Sequence, residues 1–186
     1  MRPVVQIGTQ TFDYTSPHEH TPNIQDAVRA ISNICRFGGH TQSFYSVAQH
    51  SVLVSVLCPN RPWDALAHDL AEAYYGDFPS PLKNLIRDTC PLLAARLRTI
   101  DTLVEEAFLF NPDQELVKKA DTLALAMERR DLLPSCPASD EDWAFLPKDL
   151  PAYIIKPASP EKAEKMWWDR YHALAKKPIF GEALRT

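Results

Sequence analysis

The stretch Ala65-Leu66-Ala67-His68-Asp69-Leu70-Ala71-Glu72-Ala73-Tyr74-Tyr75-Gly76-Asp77-Phe78-Pro79-Ser80-Pro81-Leu82-Lys83 decides the reading of this chain. It opens as an apolar helical run, carries an adjacent His-Asp pair and a glutamate one turn later, and breaks at Gly76 into an acidic, proline-punctuated loop. On a regular helix His68 and Glu72, four apart, share a face, and Asp69 and Glu72, three apart, are neighbours. Three groups able to bind a metal or move a proton therefore converge. Trp63, Leu66, Ala67 and Leu70 give the same helix a core face, and Pro62 is acceptable in its first turn.

Around this stretch, 186 residues predict one domain, long enough to bury about two thirds of the surface of the unfolded chain. A hydrophobic fraction of 45% is ordinary, and 24 acidic against 20 basic residues give a net charge of -4, which argues against a general nucleic-acid or membrane-surface binder. Handling phosphate then requires a metal or local cations to reverse the sign inside the site. Cys35, Cys58, Cys90 and Cys136 stand far apart without a Cys-x-x-Cys spacing, so neither a thiolate metal site nor a disulfide framework is expected, and a reducing cytosol is the default. The start, Met1-Arg2-Pro3-Val4-Val5-Gln6, lacks the apolar core and cleavage site of a signal peptide, and no run approaches the roughly 20 apolar residues of a membrane span. A soluble, cytoplasmic protein is expected.

In chain order, residues 1–22 predict an extended arm or hairpin, with Val4, Val5, Ile7, Phe12 and Tyr14 around Gly8. His18-Glu19-His20 follows, an i,i+2 histidine pair that either binds a metal or is idle near a terminus. Residues 23–133 predict the helical core. Asn23 caps a first helix with Ile24, Ala27, Val28, Ile31 and Ile34 at helical spacing. It ends at Arg36-Phe37-Gly38-Gly39-His40-Thr41, which is either a phosphate-contacting loop or a plain connection. Residues 43–58 predict a buried helix with His50 at its middle, a core histidine unless other ligands meet it. Leu82, Leu85 and Ile86 suggest a short helix; residues 91–108 predict a long one with Leu93, Leu97, Ile100, Val104 and Ala107 inward.

Pro112 opens another helix, with Leu116, Val117, Ala120, Leu123, Ala124 and Met127 apolar and residues 128–131 on its polar side. Asp121 falls on or beside the buried face, where an unpaired carboxylate is costly, and Arg129 and Arg130 project too far around the helix to be obvious partners. Residues 134–158 form a proline-rich segment, including Pro134, Pro137 and Pro147, that packs aromatics on the helical body. Residues 159–177 predict a closing helix, capped by Ser159 with Pro160 first, and docked by Met166, Trp167, Tyr171 and Leu174. The Trp167-Trp168 pair is either core plus surface or a subunit contact.

His50, His68, Asp69 and Asp121 come from three separate predicted helices, and a helical bundle can gather such inward-facing groups. Two imidazoles and two carboxylates suit one divalent ion, Mn²⁺, Co²⁺, Ni²⁺ or Zn²⁺, with Mg²⁺ also admissible. Four protein ligands leave an octahedral ion two positions, for a water and a phosphate oxygen.

These residues resemble the fingerprint of the HD-domain phosphohydrolases: a helical histidine, a later His-Asp pair and a more distant aspartate. The likeness is closest to bacterial 5′-deoxynucleotidases and their phage and prophage relatives, through Arg36-Phe37, Ser46-Val47-Ala48-Gln49-His50, His68-Asp69-Leu70-Ala71-Glu72 and the run from Gly76 to Lys83. The resemblance implies an all-α HD-domain helical bundle in which His50, His68, Asp69 and Asp121 hold the metal. It assigns Glu72 to positioning or deprotonating the attacking water, Arg36 to phosphate, Asp77 to the deoxyribose hydroxyl and Lys83 to a further phosphate contact. Phe37 stands where resembling deoxynucleotidases carry tryptophan, which leaves exclusion of a ribose 2′-hydroxyl open. His40, shared with the phage branch, touches a phosphate or braces its loop. No histidine lies between His68 and His172, which favours one metal over two. The implied activity is hydrolysis of (deoxy)nucleoside monophosphates to nucleoside and phosphate. The alternatives are a compact phage-type dNTP triphosphohydrolase, acting for example on dATP, and a non-catalytic nucleotide sensor. The expected partner is a small-molecule nucleotide, with no nucleic acid and no membrane, and a homo-oligomer is left open.

Overall fold

A computed structural model describes residues 3–136 and 141–175. Pro137 and the last two positions of the expected closing helix, 176 and 177, lie outside the described residues.

The chain begins as a hairpin, β1 (Val4–Ile7) antiparallel to β2 (Gln10–Asp13), with Val4 opposite Asp13 and Ile7 opposite Gln10. Gly8 turns it at φ +57°, and a Cβ there would lie 2.1 Å from the Asp26 carboxylate, so the turn admits only glycine. Phe12 is fully buried and anchors the hairpin against Tyr14, His20 and Tyr74.

Helices follow: α1 (Ile24–Asn33), α2 (Val47–Leu57), α3 (Pro62–Ala67), α4 (Glu72–Tyr75), α5 (Ser80–Thr89), α6 (Pro91–Phe108), α7 (Glu115–Leu132) and α8 (Pro160–Ala175). The Asn23 side chain caps α1 by accepting from the amides of Gln25 and Asp26, as expected. Helix α2, expected from residue 43, starts only at Val47 because the Ser46 hydroxyl caps it, accepting from the Gln49 amide at 3.1 Å. Helix α7 starts at Glu115 rather than Pro112, because the Asn111 side chain accepts the Asp113 amide and holds a turn there.

Helix α2 lies at the centre, packed by α1, α3, α7 and α8. One core gathers Val28, Ile31, Leu66, Leu70 and Trp167, whose indole N–H donates to the Leu66 carbonyl at 3.2 Å. Trp168 is half-buried beside it, so the tryptophan pair reads as core plus surface. A second core joins α2 to α7 through Val54, Cys58, Val117, Ala120 and Ala124, and a third tucks Ile155 of the proline-rich segment against Tyr45 and Met127.

The expectation for α6 needs correction. Only Ile100 and Val104 are buried; Leu93 and Ala107 are exposed and Leu97 is half-buried. Helix α5 buries nothing and packs on α6, so α5 and the first half of α6 project from the body as a helical hairpin. No helix among the described residues is long and apolar enough to cross a membrane.

Candidate active site

The motif at residues 68–72 is not the continuous α-helix expected. Helix α3 ends at Ala67, and the amides of Leu70, Glu72, Ala73 and Tyr74 each reach back three residues, to Ala67, Asp69, Leu70 and Ala71. This is the tighter 3₁₀ spacing, in which residues three apart eclipse. Asp69 and Glu72 are thereby aligned, and both line the same cleft. The α4 turn ends at Gly76, where φ is +89° and the chain leaves for the Asp77 loop.

Helix α2 brings His50 to this turn. Its Nε2 lies 3.3 Å from Nε2 of His68, 3.5 Å from Asp69 and 3.1 Å from the Asp121 carboxylate of α7. Donor atoms of His50, His68 and Asp69 all fall within 4.8 Å of one another, and Asp121 adjoins them through His50. The outer ring nitrogens fix the roles of the inner ones. His68 Nδ1 faces the Ala65 carbonyl at 2.8 Å, which can only accept, and His50 Nδ1 faces the Glu128 carboxylate at 2.6 Å. With both Nδ1–H groups donating outward, the two Nε2 lone pairs point at each other, which only a shared cation resolves. Without a metal a proton serves: burial and Arg36 push the His50 pKa down, but Glu128 and Asp121 outweigh them and hold it up to about 10. Burial raises Asp69, yet His68, His50 and Arg36 hold it well below the carboxylate range, so the ring of anions persists. The donor set fits one divalent ion.

Glu128 is the residue that sequence reasoning missed. It is fully buried, holds His50 and accepts from Arg36 at 3.2 Å. Burial raises its pKa, but His50 and Arg36 pull it below its ordinary value. The signal was present: Glu128 is seven residues after Asp121 and four after Ala124, on the same helix face, hidden by the charged run that follows it.

Arg36 follows α1 in a short 3₁₀ turn and is ringed by carboxylates, Glu128 at 3.2 Å and Asp69 and Asp77 at 3.7 Å each; its buried Nε has no partner among the described residues. Phe37 adopts a left-handed φ of 55°, uncommon outside glycine, and its amide donates to Asp77 at 3.1 Å. Asp77 thus clamps the turn that presents Arg36. Glu72 is buried; Oε1 accepts from Lys83 Nζ at 2.8 Å, while Oε2 has no partner among the described residues. Burial and the neighbouring Asp69 push its pKa up to about 8, against the pull of Lys83.

Arg36, Phe37, Asp69, Glu72, Asp77, Lys83 and Asp121 line one cleft of about 730 Å³; His50 and His68 are not part of the lining and meet it through Asp69 and Asp121. His40 is exposed and outside the lining, and its backbone amide closes the turn on the Phe37 carbonyl, a bond that does not involve its side chain. The His18–His20 pair forms no site: His18 is exposed, while His20 is buried edge-on against Phe12. Trp143 and Phe145, expected to pack on the helical body, instead line this cleft, Phe145 being 66% exposed.

No protein-family model matches the chain. Uncharacterized protein YfdR of Escherichia coli strain K12 is 39% identical over 171 residues, covering 88% of this chain and 90% of its own length. Among solved structures, the HD phosphohydrolase DatZ of cyanophage S-2L, bound to dA and one catalytic Zn²⁺ ion, superposes with a TM-score of 0.50 at 20% identity, over 85% of this chain and 99% of that one. The chain belongs to the family of YfdR and has the fold of the HD-domain phosphohydrolases.

Proposed function

We propose that the protein is a metal-dependent phosphohydrolase that cleaves the 5′-phosphate ester of (deoxy)nucleoside monophosphates. The carrying observation is the charge of the cleft: five carboxylates, Asp69, Glu72, Asp77, Asp121 and Asp142, face two cations, Arg36 and Lys83. One divalent ion does no more than neutralise such a lining, which suits a single phosphate better than the higher charge of a triphosphate. The dA and single Zn²⁺ in the phage neighbour support a nucleoside and one ion on this fold.

His50, His68, Asp69 and Asp121 would hold the ion. When bound, a divalent ion supplies Lewis acidity toward a water and a phosphate oxygen. Glu72 orients the attacking water and accepts its proton at Oε2, the oxygen without a partner, while the Lys83 ion pair on Oε1 fixes the carboxylate plane. Arg36 steadies the phosphate from its buried position, and Asp77 accepts from a sugar hydroxyl while holding the Phe37 turn. Water adds to phosphorus, the bond to O5′ breaks, and the 5′-oxygen leaves as the nucleoside hydroxyl after collecting a proton.

The second reading, triphosphate release from a dNTP, is favoured by the groove beside the cleft, which shares Thr122 and Phe145 with it and adds Lys118 and Lys119. Those lysines are already paired with Asp113 and Glu115 and lie in solvent, which places this reading second. A sensor without catalysis is disfavoured because ligand and base positions are all filled. The test is a panel of dNMPs, NMPs and dNTPs with Mn²⁺, Co²⁺, Zn²⁺ or Mg²⁺. Free phosphate from monophosphates is expected. Released triphosphate supports the second reading, and no turnover with metal shown bound overturns both.

A further inference from the structure

The cleft has two kinds of lining. Charged groups, Arg36, Asp69, Glu72, Lys83 and Asp121, share it with the apolar Leu125, Trp143 and Phe145. Trp143 belongs to a short turn over residues 141–146: the Ala144 amide donates to the Glu141 carbonyl at 3.1 Å and the Leu146 amide to the Trp143 carbonyl at 3.0 Å. Leu146 is buried and pins that turn to the body.

The indole itself is held from outside the segment. The Arg129 guanidinium of α7 sits 5.2 Å from the centroid of its ring, a cation–π contact that orients the ring from the same helix that carries Asp121 and Glu128. Phe145 lies 6.3 Å away and nearly parallel, at 18°, so two aromatic planes share one orientation at the cleft mouth. Phe145 is 66% exposed, although apolar rings gain by burial. A packing role does not need this arrangement: the neighbour that does the packing is Leu146, and the aromatic pair instead faces the cleft.

A nucleotide has the matching two kinds of surface, an anionic phosphate and a flat, π-rich base. We infer that Trp143 is the platform on which the base of the nucleotide stacks, with Phe145 extending it, so that the segment after α7 supplies the base half of the site and the helical core the phosphate half. Stacking tolerates every base, since each has a π-face, and it favours purines through their larger area. The inference rests on the nucleotide reading given above but does not require turnover.

The test is equilibrium binding to the metal-loaded protein, by calorimetry and tryptophan fluorescence, of deoxyadenosine, thymidine and the base-free 2-deoxyribose 5-phosphate. Trp143→Ala is expected to weaken deoxyadenosine binding roughly 5- to 100-fold and to leave 2-deoxyribose 5-phosphate unchanged. Trp143→Phe keeps an aromatic face toward Arg129; it is expected to restore most of the affinity while abolishing the fluorescence quench that deoxyadenosine is expected to cause in the native chain. Unchanged deoxyadenosine affinity in Trp143→Ala overturns the inference, as does an equal loss for the base-free sugar phosphate or no nucleoside binding by the native protein. Trp143-dependent binding without hydrolysis would reject the proposed function and keep this inference; hydrolysis independent of Trp143 would do the reverse.

Discussion

Helices α6 and α7 are both 18 residues long, yet α7 buries seven residues and α6 two. The difference lies in what faces the body. Helix α7 presents Ala120 and Ala124, small enough to bring its backbone close to α2, and within that approach Asp121 and Glu128 reach His50. Helix α6 presents leucines, and its first half buries no side chain, meeting the body where Arg96 donates to the Thr15 carbonyl at 2.7 Å, with Leu92 74% exposed. It meets the turn that carries Glu72 through a hydrogen bond from the Tyr75 hydroxyl to Asp101 at 2.6 Å. A helix can therefore be long and amphipathic without organising anything. What organises the site is small residues that permit close approach, followed by charges that need partners there.

The largest effect expected from this contrast is at Glu128. Removing it in Glu128→Ala leaves His50 and Arg36 buried without their shared anion, at a cost of about 3–5 kcal/mol. Glu128→Gln keeps the shape, and is expected to lower metal affinity by about 10- to 100-fold, because the carboxylate no longer fixes the His50 ring. Urea denaturation and metal titration read the two effects separately. A mild Glu128→Ala would break the contrast.

The next effect in size concerns the ion itself. Mn²⁺ or Zn²⁺ at 100 times its dissociation constant is expected to stabilise the protein by about 2.7 kcal/mol, a rise in Tm of several degrees. Asp69→Ala should abolish this rise together with activity. Glu72→Gln should keep the rise and lower the rate by about 10²- to 10⁴-fold, since only the proton acceptor is lost. Retained activity in either variant would reject the division of roles between Asp69 and Glu72.

Much of this was legible in the sequence. Asp121 is conspicuous because a carboxylate at helical spacing among Val117, Ala120 and Ala124 needs a cation, whereas His50 alone reads as a core histidine and becomes a ligand only once His68, Asp69 and Asp121 can meet it. Three features were not. The 3₁₀ tightening at His68–Ala71 has no glycine, proline or cap to announce it; it arises from how α3 and α4 are held by the core around Leu66, Leu70 and Tyr74. Glu128 was masked by its neighbours, since Arg129, Arg130 and Asp131 make the run read as a solvated face, although Glu128 turns fully inward and Asp131 accepts the Ile155 amide. Periodicity along α6 tells which residues share a face, and correctly groups Leu93, Leu97, Ile100 and Val104. It does not tell whether another element arrives to cover that face, and over Leu93 none does.

That last point gives the smallest prediction. If the first half of α6 organises nothing, Leu92→Ser should change stability by no more than about 0.5 kcal/mol, because the side chain gives up little burial on unfolding. Val104→Ala on the same helix should cost about 1–2 kcal/mol, since Val104 is fully buried in the core around Trp167. The pair tests one helix against itself by thermal or urea denaturation. A cost at Leu92 equal to that at Val104 would mean that the projecting hairpin is covered in solution, by a second copy or another surface. The contrast between α6 and α7 would then be one between a helix buried by its own chain and a helix buried by its neighbour.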